Sequence, residues 1–209
     1  MSYKNFLFDL DGTLIDSAPG IEASFYFAYT KVYNTSCPKI ITSFIGPPID
    51  QVLTAVNGEI NLEIINRFVD AFKQHYDIDG YKKSKLYGDV EFVLEVLLKN
   101  KLNVFIATNK RLKPTKLILD YLSIDNYFND IYCPDKLKKT FKSKTELIAH
   151  ILKANMLELT ETIMIGDTMH DGIAADENKI DFALVEYGYG KYEKSKYKLN
   201  DIKQLINIL

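Results

Sequence analysis

Phe6-Leu7-Phe8-Asp9-Leu10-Asp11-Gly12-Thr13-Leu14 is an apolar run that ends in two carboxylates spaced two apart. A strand alternates its side chains, so Asp9 and Asp11 are expected on one side of the chain and Leu10 on the other. Two acids that share a pocket repel unless a cation or a shared proton relieves them. The pair therefore points to a hard metal such as Mg²⁺, which prefers carboxylate oxygens. Gly12 has no Cβ and lets the chain turn sharply after the acids, and Thr13 adds a small hydroxyl. Taken alone, the stretch also reads as a polar strand end before a turn, so the rest of the chain has to decide.

The chain has 209 residues, 47% of them hydrophobic and 26% charged, which suits a soluble globular protein of one domain with an insertion, or two domains. A formal net charge of -2 gives no electrostatic reason to expect nucleic acid as a partner. Cys37 and Cys133 are the only cysteines and form no CxxC or Cys/His cluster, so neither a zinc site nor a disulfide framework is expected. There is no basic start followed by a long apolar segment, and no uninterrupted apolar run nears the roughly 18 residues of a membrane span. The expectation is a cytoplasmic protein without membrane partners, a monomer or a homodimer.

Residues 4–9 suit a buried strand with Asp9 at its carboxyl end. The period then becomes helical through Ile21, Phe25, Ala28, Tyr29 and Val32, with Ser17 as a candidate N-cap. Cys37-Pro38 breaks that helix, and residues 44–50 read as a loop opening a second one through Val52, Leu53 and Val56. A third helix is expected over residues 62–76, with Ile64, Ile65, Phe68, Val69 and Phe72 on one face. Residues 17–82 thus form a helical insertion, and residues 1–16 with 83–209 form an α/β core. In that core, helices through Val90 to Leu98, Leu117 to Tyr121 and Thr145 to Leu152 alternate with strands at residues 103–107, 131–133, 162–165 and 182–185. Such alternation predicts a doubly wound parallel sheet, Rossmann-like, with ligands bound beyond the carboxyl ends of its strands. The Lys- and Tyr-rich residues 190–197 read as a solvated loop.

Other strand ends carry chemistry that complements the opening pair. Thr108-Asn109 follows the second strand, where a hydroxyl and backbone N–H groups at a helix start can hold phosphate oxygens. Gly166-Asp167 through Asp171 follows the fourth, and its two acids can complete a metal shell with Asp9 and Asp11. Lys142 and Lys144 stand just before a helix, where either can neutralise a phosphate or a nucleophile.

In order, spacing and strand context these four segments resemble the four motifs of the haloacid dehalogenase superfamily, and the insertion after the first resembles the α-helical cap of its phosphoglycolate phosphatase-like branch. The resemblance implies that Asp9 is a nucleophile forming an aspartyl phosphate, Asp11 the general acid and base, and Thr108, beside Asn109, a phosphate ligand. It also implies that Lys144 steadies the charges and that Asp167 binds Mg²⁺ with Asp9 and the Asp11 carbonyl, with Asp171 in support. Many relatives have a Lys-Pro pair where this chain has Phe141-Lys142-Ser143-Lys144-Thr145. The spacing to Leu147 and Ile148 favours Lys144, with Lys142 as the alternative.

The expected activity is a Mg²⁺-dependent phosphatase acting on a small phosphomonoester. A phosphomutase of the β-phosphoglucomutase-like type is the alternative, although those relatives usually carry an aliphatic residue at the position of Thr13. A phospho-accepting signalling module is a further alternative, but such modules place the phosphorylated Asp on a later strand and lack a helical insertion. The substrate stays open between phosphoglycolate, a nucleoside monophosphate, pyrophosphate and a sugar phosphate. Glu22, Tyr26 and Gly46-Pro47-Pro48 in the insertion are the positions expected to discriminate, with hinges expected near residues 16–18 and 81–85.

Overall fold

The computed structural model describes residues 2–37, 49–137 and 141–209, and its chain divides into two compact units, Met1–Asp16 with Lys85–Leu209 and Ser17–Ser84. Along the chain the strands are β1 (Asn5–Phe8), β2 (Ile15–Asp16), β3 (Lys85–Leu86), β4 (Asn103–Ala107), β5 (Asp130–Tyr132), β6 (Thr162–Gly166), β7 (Asp181–Val185) and β8 (Tyr197–Leu199). The helices are α1 (Ala18–Tyr33), α2 (Ile49–Asn57), α3 (Leu62–Tyr76), α4 (Val90–Lys99), α5 (Leu112–Tyr121), α6 (Lys144–Ala154) and α7 (Met169–Glu177).

The first unit is built on a six-stranded sheet in the order β5-β4-β1-β6-β7-β8, with every neighbouring pair parallel. All four residues of β1 and all five of β6 are buried, as expected of apolar runs in a sheet covered on both faces. On one face Leu7, Phe105, Met164 and Phe182 pack with Leu147, Ile148 and Ile151 of α6 and Ala174 and Ala175 of α7. α4 packs on β4 and buries Val90, Val93, Leu94 and Leu97.

This topology decides where a site can form. From β1 the chain moves outward to β4 and β5, then returns to the other side of β1 for β6, β7 and β8. The winding reverses between β1 and β6, and in an open α/β sheet that reversal leaves a crevice beyond the carboxyl ends of the strands. Phe8 lies opposite both Ile106 and Ile165, so the residues that follow all three strands reach that crevice together.

Two short features extend what the pattern foretold. β8, an edge strand beside β7, begins at Tyr197, where a solvated loop was expected. Only Leu199 of its three residues is buried, so hydrophobic period gives no signal there and backbone pairing makes the strand. The strand expected at residues 131–133 runs one residue earlier, over Asp130–Tyr132.

β2 and β3 pair antiparallel, Ile15 with Leu86 and Asp16 with Lys85, where the chain leaves and re-enters the first unit. The second unit packs α1, α2 and α3 around Phe25, Ala28, Tyr29, Val52, Leu53, Phe68 and Ala71. Asn61 caps α3 by accepting from the Ile64 N–H at 2.9 Å. Ser17 takes the N-cap position of α1, but its side chain makes no capping hydrogen bond; a proline in the first turn supplies the start. The expected loop of residues 44–48, with Gly46-Pro47-Pro48, lies outside the described residues.

Candidate active site

Asp9 directly follows β1, and its backbone N–H still pairs with the Ile165 carbonyl of β6 at 2.9 Å. Its carboxylate is therefore fixed by the sheet, and it is only 7% exposed. Lys144, the first residue of α6, reaches it from the side: Nζ donates to Asp9 Oδ1 at 2.6 Å and also pairs with Asp171. Ser143 sets that approach by capping α6, accepting from the Glu146 N–H at 3.2 Å. Of the two candidate lysines, Lys144 reaches the acids, whereas Lys142 is exposed and its backbone N–H donates to Glu146 at 3.1 Å.

Asp171 is held by its own helix end, where one carboxylate oxygen accepts from the Thr168 N–H at 3.0 Å and from the Thr168 hydroxyl at 2.6 Å. Asp9, Asp167 and Asp171 each present an oxygen within 4.8 Å of the others, and all three residues are buried. One ammonium cannot balance three carboxylates in so dry a place. Burial pushes the Asp9 carboxyl up to about 6, although Lys144 pulls against it, and Asp171 adds to the rise. Burial likewise pushes Asp167 up to about 7, with Asp9 and Asp171 adding their repulsion. Burial alone would discharge Lys144, but Asp171 and Asp9 outweigh it and hold the ammonium well above the usual lysine range. Oxygen donors, net negative charge and carboxyls this reluctant to ionise without a cation are the donor set that a hard divalent ion fits.

Asp11 goes elsewhere. Both of its oxygens accept from Lys110 Nζ, at 2.9 and 2.7 Å, so the two acids of the opening stretch each have a lysine of their own. The Asp11 carboxylate is thereby kept out of the buried trio. Lys110 stands in the turn after β4, where the Thr108 hydroxyl oxygen accepts from its backbone N–H at 3.2 Å. Thr108 is buried and anchored to β5 through its own N–H, which donates to the Tyr132 carbonyl at 3.1 Å. In the bond from Lys110 the hydroxyl is the acceptor, so its own hydrogen can still be donated. Asn109, beside it, is exposed.

A wall of the site escaped the sequence reading altogether. The turn of residues 187–190 after β7 folds over Asp167: the Tyr189 N–H donates to Asp167 Oδ2 at 2.8 Å, and the Tyr187 hydroxyl donates to the Thr13 carbonyl at 2.8 Å. A Cβ on Gly188 would lie 2.5 Å from the Gly12 carbonyl oxygen. Gly12 itself has φ +82 and leaves no room for a side chain against the Asp167 carboxylate, so the turn after the acid pair requires glycine. The Thr13 hydroxyl completes this side, 3.4 Å from Asp167 Oδ1. In the second unit, Tyr26 donates to Glu22 at 2.7 Å.

The sequence matches the family model described as haloacid dehalogenase-like hydrolase over residues 6–185. A 5'-nucleotidase of Pseudomonas aeruginosa is 30% identical over 196 residues, which cover 93% of this chain and 87% of that protein. A phosphoglycolate phosphatase of Aquifex aeolicus is 29% identical over 189 residues, covering 88% of this chain and 85% of that one. The solved structure of a haloacid dehalogenase-like family hydrolase from Streptococcus pneumoniae has a TM-score of 0.87 at 24% identity, covering 98% of this chain and 97% of the other. Sequence and fold agree over nearly the whole length, and the chain belongs to the haloacid dehalogenase-like hydrolase family, as an enzyme of the phosphoric monoester hydrolase class.

Proposed function

We propose that the chain hydrolyses a small phosphomonoester in the cytoplasm, in a Mg²⁺-dependent reaction that passes through an aspartyl phosphate on Asp9. The observation that supports this reading is the different surroundings of Asp9 and Asp11. Asp9 is buried beside Lys144 at 2.6 Å, whereas Asp11, two residues on, is half-buried and bound by a different lysine. In this reading one carboxylate attacks and the other moves protons.

An oxygen of Asp9 attacks phosphorus, forming an acyl phosphate as the bond to the ester oxygen breaks, and Asp11 delivers a proton to the departing alkoxide. Thr108 donates to a phosphoryl oxygen, and Lys144 offsets the charge that gathers around Asp9. Asp11 then takes a proton from the water that attacks the acyl phosphate, which returns the Asp9 carboxylate and releases inorganic phosphate. Mg²⁺, held by Asp9, Asp167 and the Asp11 carbonyl with Asp171 in support, would screen the anions and act as a Lewis acid on the phosphoryl group. Residues 17–82 take the place of the cap in this reading. The names of the relatives, 5'-nucleotidase and phosphoglycolate phosphatase, support a small anionic ester as substrate.

The test is phosphate release from a panel of nucleoside monophosphates, phosphoglycolate, sugar phosphates and pyrophosphate, with Mg²⁺ and with excess chelator. Turnover of at least one ester, lost on chelation, is expected. Full turnover after exhaustive chelation would remove the metal from the reading, and turnover by Asp9→Asn would remove the nucleophile.

A further inference from the structure

Lys110 is the cation that none of the four sequence segments contains, and its geometry differs from that of Lys144. Lys144 divides its contacts between two carboxylates, whereas Lys110 meets Asp11 with two hydrogen bonds, one to each oxygen. A lysine head normally stays in water, but here the side-chain exposures are 9% for Lys110 and 18% for Asp11. The backbone under this contact is pinned on both sides. Thr108 accepts from the Lys110 N–H at 3.2 Å, and past the turn the Leu112 N–H donates to Asp135 Oδ1 at 2.7 Å. A residue set by the ends of β4 and β5 therefore orients an acid carried by the loop after β1.

We propose that Lys110 is the positioning residue of the proton-transfer steps. It clamps the Asp11 carboxylate in one orientation and holds it apart from Asp9, Asp167 and Asp171. This inference rests on the reading of Asp11 as general acid and base. Lys110 itself neither gains nor loses a proton; Asp11 passes one to the ester oxygen and later takes one from water. Without the clamp, Asp11 turns toward whatever cation the buried trio attracts, and proton transfer loses its geometry. Attack by Asp9, held by Lys144, does not depend on Lys110. The defect must therefore grow with the leaving group's need for a proton.

The experiment compares wild type, Lys110→Met, Lys110→Arg and Asp11→Asn on a series of phosphate monoesters from 4-nitrophenyl to simple alkyl, with Mg²⁺. For Lys110→Met, kcat on the alkyl esters should fall by about 10- to 100-fold, the size of effect that misplacing a catalytic group produces. Its burst of 4-nitrophenolate should stay near the wild-type rate while steady-state turnover drops and phosphoenzyme builds up. Lys110→Arg should keep most activity, because a guanidinium also offers two donors to one carboxylate. Should far-UV circular dichroism show that Lys110→Met does not fold, Lys110→Gln takes its place. A rise in KM with kcat unchanged would overturn the inference, since Lys110 would then contact substrate directly. So would a wild-type dependence on leaving group in Lys110→Met when Asp11→Asn shows a steeper one. If Asp11→Asn itself leaves that dependence unchanged, the acid–base reading of Asp11 falls and the inference falls with it.

Discussion

Replacing Lys144 by Met keeps the length of the side chain and removes the ammonium that, among the described residues, pairs with the buried acids. In the protein that ammonium is 2.6 Å from Asp9 Oδ1 and 4% exposed, and it also pairs with Asp171. At an effective dielectric constant of about 20, a pair this close attracts by roughly 6 kcal/mol. Much of that is offset by the cost of burying the charges, and breaking a buried pair from one side typically costs about 3–5 kcal/mol. The cost depends on pH. Asp9 and Asp167 titrate at about 6 and about 7, above the ordinary carboxylate value, so at pH 8 both are charged and at pH 5 both are mostly protonated. Metal-free Lys144→Met should therefore melt on the order of 10 °C below wild type at pH 8, and the gap should shrink toward pH 5. The chain has 14 Tyr and no Trp, so far-UV circular dichroism in EDTA is the assay. Turnover should fall by about 10² or more, as when a preorganised electrostatic group is lost. Equal melting of the two proteins at pH 8 would refute the claim that Lys144 offsets this cluster.

The same titrations govern the response of the wild type to Mg²⁺. Because the folded carboxyls of Asp9 and Asp167 sit at about 6 and 7 rather than near 4, metal-free stability should fall as pH rises from about 4 to 7. Mg²⁺ should accordingly raise the melting temperature more at pH 7.5 than at pH 5; an equal rise at both would break the link between the acid trio and the metal. Asp9→Asn should abolish turnover and take up no phosphate from an activated aryl donor. Asp11→Asn should lose about 10² to 10⁴ in rate and accumulate one phosphoryl group, read as intact-protein mass; phosphate trapped on Asp9→Asn would reverse the two roles. Gly188→Ala forces a Cβ against the Gly12 carbonyl oxygen and should weaken Mg²⁺ binding, measured by calorimetry, more than it lowers far-UV ellipticity; unchanged affinity would free residues 187–190 from any part in holding Asp167.

Strands β1, β4, β6 and β7 were legible because both faces of this sheet are covered, which makes each a continuous apolar run bounded by turn chemistry. Leu147 and Ile148 are buried with Lys144 on α6, which is the helical spacing that favoured Lys144 over Lys142 in the sequence. Lys110 had no such signature. A lone lysine after Asn109 reads as solvated by default, and its partner is 99 residues away in the chain. Residues 187–190 failed for a related reason. Tyr-Gly-Tyr-Gly reads as a turn, and nothing local says that one of its backbone N–H groups meets Asp167. β8 was missed because an edge strand with one buried residue is made by pairing alone.

The two-residue ladder between β2 and β3 has a consequence for the whole architecture. By joining Ile15 to Leu86 and Asp16 to Lys85, it brings the exit and the return of the chain side by side, so the sheet experiences the intervening helices as the loop of one hairpin. Closing a flexible loop costs free energy only logarithmically with its length, about 0.6 kcal/mol for each doubling. On that scaling, a change in chain length between Ser17 and Ser84 should cost the strands that carry Asp9, Thr108 and Asp167 little in closure entropy, which melting of loop-length variants would check.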